Sequence, residues 1–286
     1  MPLKYAYHPG NVAHSGSPEV ADTMNAVARN LGLELTILDG ATSCGAGIIR
    51  QANERLQLAL NARTFAMAES HGLSILTPCA ATAGNLKQDL EKLRSNPILM
   101  KEINDVLAKT CGLVFSGETE VHHLLHVLVD EIGLDKIEKL AVNKFDFRVA
   151  GYYSPYFQME GACGGDSVHD PDYFEQLIDA LGGSPVDWEG RVLSVGAPGI
   201  LSEESTALRQ SAAVISEAKD EGAEIIVSAC NLSHSVLDIY QGKASRVTGI
   251  TTNIPVIHLT ELLSFVFGNH NTRFAQLRTR IAVIGD

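Results

Sequence analysis

Nowhere in this chain do lysine and arginine cluster. The 22 basic residues face 34 acidic ones, for a formal net charge of −12 at pH 7. Nucleic-acid binding needs grouped cations to neutralise phosphates, so that class is excluded. No uninterrupted apolar run reaches the length of about 18 residues that a membrane-spanning helix needs. The opening MPLKYAYHPG lacks the charged-then-apolar pattern of a secretory signal, so the expected location is the cytoplasm. Cysteine is scarce. The five residues, Cys44, Cys79, Cys111, Cys163 and Cys230, are odd in number and far apart, with no C-x-x-C pair. That pattern excludes a disulfide scaffold and an ordinary zinc knuckle and leaves free thiols. Neither G-x-G-x-x-G nor a Walker A sequence is complete, and no Ser-His-Asp set has a spacing that supports it.

What is present is said twice. GETEVHHLLHVLVDEIG places Val121, His123 and Gly133 in a spacing that NIPVIHLTELLSFVFG repeats at Val256, His258 and Gly268. Upstream, HGLSILTPCAATAGNL and EGAEIIVSACNLSHSVL each run an apolar strand into a cysteine, Cys79 and Cys230, ahead of a helical stretch. LGLELTILDGATSCGAG likewise matches LGGSPVDWEGRVLSVGAPG and sets Cys44 opposite Val195. Such duplication implies two copies of one plan, with equivalent loops meeting at their junction. With 286 residues and 45% apolar content the chain can fill two cores. The expected domains are 1–145 and 146–286.

Strands alternating with helices predict right-handed βαβ units and parallel sheets. In the first half, strands are expected at residues 3–8, LELTILD, LSILTP and, as a short extended piece, GLVFSG. Helices are expected after Ser17 and Pro18, with Val20, Met24, Val27 and Leu31 on one face, over 50–70 with Leu56, Leu60 and Met67, over 84–109, and from Val121 to Ile132. In the second half, strands are expected at FRVAGYY, Val192–Val195, EIIVSA and the start of VIHLTELLSFVFG. The helices there are Pro171–Leu181, Glu203–Glu221 and DIYQGKA, and Leu262–Phe267 closes the domain. The tail from Asn269 mixes apolar and basic residues and is read as a ragged end, with a membrane surface or another subunit as its alternative contact. Ligands of such sheets sit beyond the carboxyl ends of strands. Six loops are therefore expected to converge, at Asn11, Ser43–Gly47, Cys79–Thr82, Ser154–Tyr156, Ser194–Gly199 and Cys230–Ser233.

The order of these loops, with KYAYHPG, GETEVHHLLHVLVDEIGLDKI, SACNLSHSVLD and IPVIHLTELL, resembles the cysteine-rich (CCG) domain pair of the heterodisulfide reductase B-type chain and its relatives. Among these it looks most like the extra subunit of non-standard succinate dehydrogenases. The resemblance covers essentially the whole chain. It implies two Rossmann-like βαβ domains. In each, one cysteine in the first loop, a Cys-Cys-Gly in the second and a C-x-x-C in the third hold a non-cubane iron–sulfur cluster for disulfide chemistry or electron transfer. Carried over by position, the first half has Asn11, Ser43, Cys44, Cys79 and Thr82, and the second has Pro155, Ser194, Val195, Cys230 and Ser233. Pro and Val carry no donor, and Ser, Thr and Asn are poor soft-metal ligands, so ordinary clusters are not expected.

The resemblance implies a subunit of an oxidoreductase, electron-transfer complex that docks flavoprotein and iron–sulfur partners, soluble in itself and peripheral to the inner face of a membrane through its complex. Its role is then structural, with a degenerate iron–sulfur site and no cofactor. One alternative is a reduced redox or metal site at Cys44 and Cys79, helped by His8 or His14, which would hold an iron–sulfur cluster or another metal. Another is a small-molecule protein using the interdomain cleft. His122 and His126, four apart on a helix face, could chelate a metal but lack a third ligand. His123 and His258 recur as a shared packing or helix-start feature, and His234 caps or packs its helix. The turns at Gly45–Gly47 and Gly196–Gly199 are read as permissive backbone rather than phosphate loops. Asp39, Asp166 and Asp238 are read as caps or surface charges, and Cys111 and Cys163 as incidental.

Overall fold

The computed structural model of the chain describes residues 2–13, 15–46 and 48–269. Within them eight strands form two parallel sheets of four, each flanked by helices. The first contains β1 (Leu3–Tyr7), β2 (Leu33–Ile37), β3 (Ser74–Thr77) and β4 (Val121–His123), ordered β2-β1-β3-β4. The second contains β5 (Arg148–Tyr152), β6 (Ser184–Pro185), β7 (Ile225–Ser228) and β8 (Val256–His258), ordered β6-β5-β7-β8. The repeated order is the duplication expressed as topology. Around the first sheet lie α1 (Pro18–Leu31), α2 (Ile49–Ala52), α3 (Glu54–Ser70), α4 (Ala80–Arg94), α5 (Pro97–Cys111), α6 (Leu124–His126) and α7 (Leu134–Leu140), with π-helical turns at Val127–Ile132 after α6. Around the second lie α8 (Tyr173–Ala180), α9 (Glu204–Asp220), α10 (Asn231–Ile239), α11 (Gln241–Thr248) and α12 (Leu259–Val266).

Side-chain alternation assigns the two faces of each sheet to different cores. Tyr5, Tyr7 and Leu76 look one way, while Ala6, Ile75 and Val121 look the other, toward Leu58, Phe65 and Leu86. In the second sheet Val149, Val227 and Ile257 oppose Ala150, Tyr152, Ile226 and Val256 in the same manner. The first-named faces join one continuous core containing Met24, Leu31 and Leu124 from the first half with Phe174, Leu262 and Val266 from the second. Each buried side chain of this size contributes roughly 1.5–3 kcal/mol, so the halves are held by shared apolar burial rather than by their linker. Close backbone approach completes the seam. A Cβ at Gly84 in α4 would stand 2.7 Å from the Tyr156 carbonyl oxygen, so only glycine lets these elements meet.

Several boundaries differ from expectation. The helix expected over 50–70 breaks at Asn53, whose extended backbone (φ −159°) and side chain, accepting from the Leu56 N–H at 3.0 Å, cap a new helix. Its buried face is Leu58, Ala62, Phe65 and Ala66, while Leu56 is 49% exposed. Residues 121–123, expected as helix, instead pair with β3, and the helix starts after them. GLVFSG joins no sheet. The strand expected at Val192–Val195 also fails to form. Its chain crosses the end of β5, where the Arg191 carbonyl accepts from the Tyr153 and Ser154 N–H groups and the Leu193 carbonyl accepts from the Tyr152 hydroxyl. Those bonds leave the edge place to β6. DIYQGKA spans two helices, parted at Tyr240. Leu262, Leu263 and Val266 are fully buried core residues and have no surface to offer a membrane, while the expectation for the tail beyond Asn269 falls outside the described residues.

Candidate functional site

At the carboxyl ends of β1, β2 and β3 the first-half positions come together as a closed polar group. The Asn11 amide donates to Cys44 Sγ at 3.3 Å and accepts from Ser43 Oγ at 2.6 Å. Cys44 Sγ lies 3.8 Å from Thr82 Oγ1 and 3.9 Å from the Ala81 carbonyl. Burial, with the charge of nearby Cys79, pushes the Cys44 thiol up to about 11, which makes it a neutral, hydrogen-bonded group. Asn11 and Ser43 thus satisfy each other, and Asn11 and Thr82 satisfy the Cys44 sulfur.

Cys79, just ahead of α4, turns toward the other half. Its thiol hydrogen-bonds Cys230, which precedes α10 in the equivalent place, and both are fully buried free cysteines. Burial alone would raise Cys79. Hydrogen bonds from Cys230, from the Thr82 hydroxyl and N–H, and from the Asn11 N–H outweigh it and hold Cys79 below the ordinary thiol range. Cys230, desolvated and facing that sulfur, is pushed well above it. The two sulfurs are coupled, so that charge on Cys79 opposes ionisation of Cys230. Cys44 couples to Cys79 only through charge, so the thiol contact formed is not between the two cysteines that the loop pattern singled out.

The remaining second-half positions form a separate space. Pro155, Ser194, Val195 and Ser233 line a cavity of about 280 Å³ with Tyr156, Met159, Ala197 and Pro198. Ser154, strained at φ 77°, sets its hydroxyl 3.3 Å from that of Ser233. Cys230 does not line this cavity. A five-thiolate cluster therefore does not fit either half. The first offers one sulfur already hydrogen-bonded to Asn11 and another bonded across the seam, and the second offers a largely apolar wall.

The other candidate residues take structural positions. His8 is buried, and it donates to the Thr42 carbonyl at 2.9 Å and accepts from the Gly10 N–H at 3.1 Å, so both nitrogens are used and neither is available to help Cys44. His14 and Gly47 lie outside the described residues. His123 Nδ1 accepts from the Leu125 N–H, and its Nε2 donates to the Ala229 carbonyl beside Cys230 at 3.0 Å. His258 Nδ1 accepts from the Thr260 N–H, and its Nε2 is buried without a hydrogen-bond partner. Each histidine caps its own helix, and His123 also holds the cysteine loop of the opposite half. The recurrence of the two histidines in the sequence marked the shared cap, while the bond across the seam carried no signal there. His122 lies on β4, not on a helix, 3.5 Å from Glu131, while His126 is buried against Phe157. Both line a cleft of about 490 Å³ with Lys87, Arg94, Asp130 and Glu160, and no third donor joins them among the described residues. Gly45 and Gly196 hold positive φ (73° and 75°), as turns require. Asp166 accepts from three backbone N–H groups at Ser167, Asp172 and Tyr173, which organises the loop before α8. Cys111 is exposed at the end of α5 and Cys163 half-buried in a loop. Glu19, which approaches His234 across the seam, and Glu261, which approaches it from α12 of the same half, carried no signal in the sequence.

Comparison with known proteins agrees with this architecture. The profile of the Cysteine-rich domain (CCG) matches residues 5–87. The chain is 29% identical over 282 residues to the 8-methylmenaquinol:fumarate reductase membrane anchor subunit of Wolinella succinogenes, covering 95% of this chain and 97% of that one. It is 27% identical over 268 residues to the B-type chain of the ferredoxin/F(420)H(2)-dependent CoB-CoM heterodisulfide reductase of Methanosarcina acetivorans (91% and 87% covered). It is 26% identical over 276 residues to a protein of Archaeoglobus profundus that is itself like the heterodisulfide reductase B-type chain (93% and 91%). The crystal structure of a hypothetical protein from Helicobacter pylori superposes with a TM-score of 0.75 at 16% identity over 98% of this chain, a likeness of fold alone. This chain spans about half, 52%, of that protein's length.

Proposed function

Since the chain belongs to the heterodisulfide reductase B-like family of cysteine-rich-domain proteins, we propose that it is a cluster-deficient subunit of an oxidoreductase complex whose role is to dock redox partners. The observation carrying this reading is the replacement of thiolates by side chains that either bond one another, as Asn11 and Ser43 do, or bond the Cys44 sulfur, as Thr82 does, or line an apolar cavity, as Pro155 and Val195 do. Side chains so placed leave the fold standing without a cofactor. Two domains, 1–145 and 146–286, present the surface, and flavoprotein and iron–sulfur subunits occupy it. Among such complexes a succinate or fumarate reductase type ranks first, because the whole-length likeness to the fumarate reductase protein is the highest of the three quoted. No helix among the described residues is long and apolar enough to cross a membrane, so membrane attachment in this reading runs through the partners, at the cytoplasmic face.

The test is elemental analysis and ultraviolet-visible spectroscopy of protein purified anaerobically at native expression level, with mass spectrometry of what accompanies it. Absence of iron, sulfide and colour, together with flavoprotein or iron–sulfur partners, is the expected result. Near-stoichiometric iron and sulfide would overturn the proposal. The contact between Cys79 and Cys230 supports a second reading, a redox-active thiol pair. Oxidation of its dithiol form would form one S–S bond, release two protons and pass two electrons to a flavin or iron–sulfur partner. A linked Cys79–Cys230 peptide that appears on oxidation and disappears on reduction would support it, and persistently free thiols would exclude it.

A further inference from the structure

One turn of α10 beyond Cys230, three donor side chains from two halves of the chain meet in the interior. Glu19 comes from the first turn of α1, His234 from α10 and Glu261 from the first turn of α12. Their exposures are 8%, 0% and 0%. His234 Nε2 stands 2.9 Å from Glu19 Oε1 and 4.0 Å from Glu261 Oε2, and one donor atom from each residue lies within 4.8 Å of the other two. We propose that Glu19, His234 and Glu261 form a divalent-metal site, of zinc type, that clamps the two halves together.

Geometry and charge both support it. Bonds of about 2.0–2.1 Å from a tetrahedral ion to carboxylate oxygen and imidazole nitrogen set neighbouring donors about 3.3 Å apart. The observed 2.9 and 4.0 Å bracket that value, so side-chain shifts of a few tenths of an ångström reach it. A doubly charged ion suits a donor set that brings two carboxylates together this far from water. Two oxygens and one nitrogen are a borderline donor set, fit for zinc and unlike the sulfur-rich set of an iron–sulfur cluster. The ligands are also held in place from behind. Glu261 Oε2 accepts from the His258 N–H at 2.9 Å, and Thr23 donates to Thr260 at 2.9 Å, tying α1 to α12 beside the site. Because Glu19 is 215 residues from His234 and packs from the opposite half, an ion held here links the halves directly.

The experiment uses full-length protein, treated with chelator and then titrated with Zn²⁺ by calorimetry, followed by X-ray absorption at the zinc edge. One equivalent of zinc with only nitrogen and oxygen neighbours near 2.0 Å is expected, as is a rise in melting temperature on adding zinc. Glu261→Gln, which keeps an oxygen for the His258 N–H, should weaken binding about 100-fold or more. Cys44→Ser and Cys79→Ser should leave it unchanged. A sulfur neighbour near 2.3 Å, or loss of zinc in the cysteine variants and not in Glu261→Gln, would place the ion at the thiols and overturn the proposal. Failure of the wild-type protein to take up zinc would overturn it too. Should Glu261→Gln not fold, the wild-type absorption spectrum decides by itself.

Discussion

His126 offers the sharpest test of how the seam is built. Its ring is 5% exposed and lies among Phe157, His123 and Tyr173, at centroid distances of 4.8, 5.7 and 6.0 Å. Neither ring nitrogen has a hydrogen-bond partner. Burial, helped by His123 and Lys87, holds the imidazole down to about 2, against 6.5 for the free side chain. A group depressed in the folded state contributes stability that is fully present above its unfolded value and drains away as pH falls toward the folded one. The window here runs downward from about pH 6.5. At pH 5 the unfolded chain has gained a proton that the folded chain refuses, which costs about 2 kcal/mol for this one residue, a sizeable share of a total stability of roughly 5–15 kcal/mol. Replacement by phenylalanine removes the proton site and breaks no hydrogen bond. A Cβ at Gly164 would come within 2.6 Å of this ring, so the variant's fit on that side sets a constant offset at every pH. The pH-dependent part is what counts. Urea midpoints measured for His126→Phe and wild type between pH 7.5 and 5 should diverge in the variant's favour by about 2 kcal/mol, or roughly 0.7 M urea at a slope near 3 kcal/mol/M. Parallel curves would refute the buried, neutral histidine.

Cys230→Ala removes the strongest hydrogen bond that favours the Cys79 thiolate, so the ultraviolet thiolate absorbance of the variant should titrate at higher pH than that of wild type; an unchanged midpoint would mean that Cys230 does not hydrogen-bond Cys79. Gly84→Ala forces a Cβ to 2.7 Å from the Tyr156 carbonyl and should cost about 1–3 kcal/mol, read as a melting temperature lowered by several degrees, whereas an unshifted melt would show that the halves do not approach there. Asn53→Ala should lose about 1 kcal/mol in chemical denaturation, because the cap that starts α3 disappears. Glu175, pushed up to about 7 chiefly by burial and opposed by its bond to Tyr153, should make stability fall as pH rises from about 4.5 to 7, opposite in sign to the histidines. Glu175→Gln should flatten that slope in pH-dependent urea denaturation.

Much of the fold was legible because local patterns encode it. The face of α1 at Val20, Met24, Val27 and Leu31 is buried as its spacing demands, and Gly32 at φ 73° ends the helix. The misread elements are those too short to show a period. β4 has three residues and β6 two, and their places are decided by which neighbouring backbone groups remain free. Asn53 could have been read as a cap and was lost inside a long apolar-periodic stretch.

The chain's own residues determined the duplicated α/β plan, the family it resembles and the scarcity of thiolates, since each follows from residue type and local spacing. Only the tertiary structure decided that Cys79 meets Cys230, that His123 holds the other half's cysteine loop, and that Glu19 reaches His234 and Glu261. These partners lie 106 to 242 positions apart in the chain. Periodicity reaches no further than one helix or strand, so such pairings are settled by how the apolar faces of the two sheets close on their shared core.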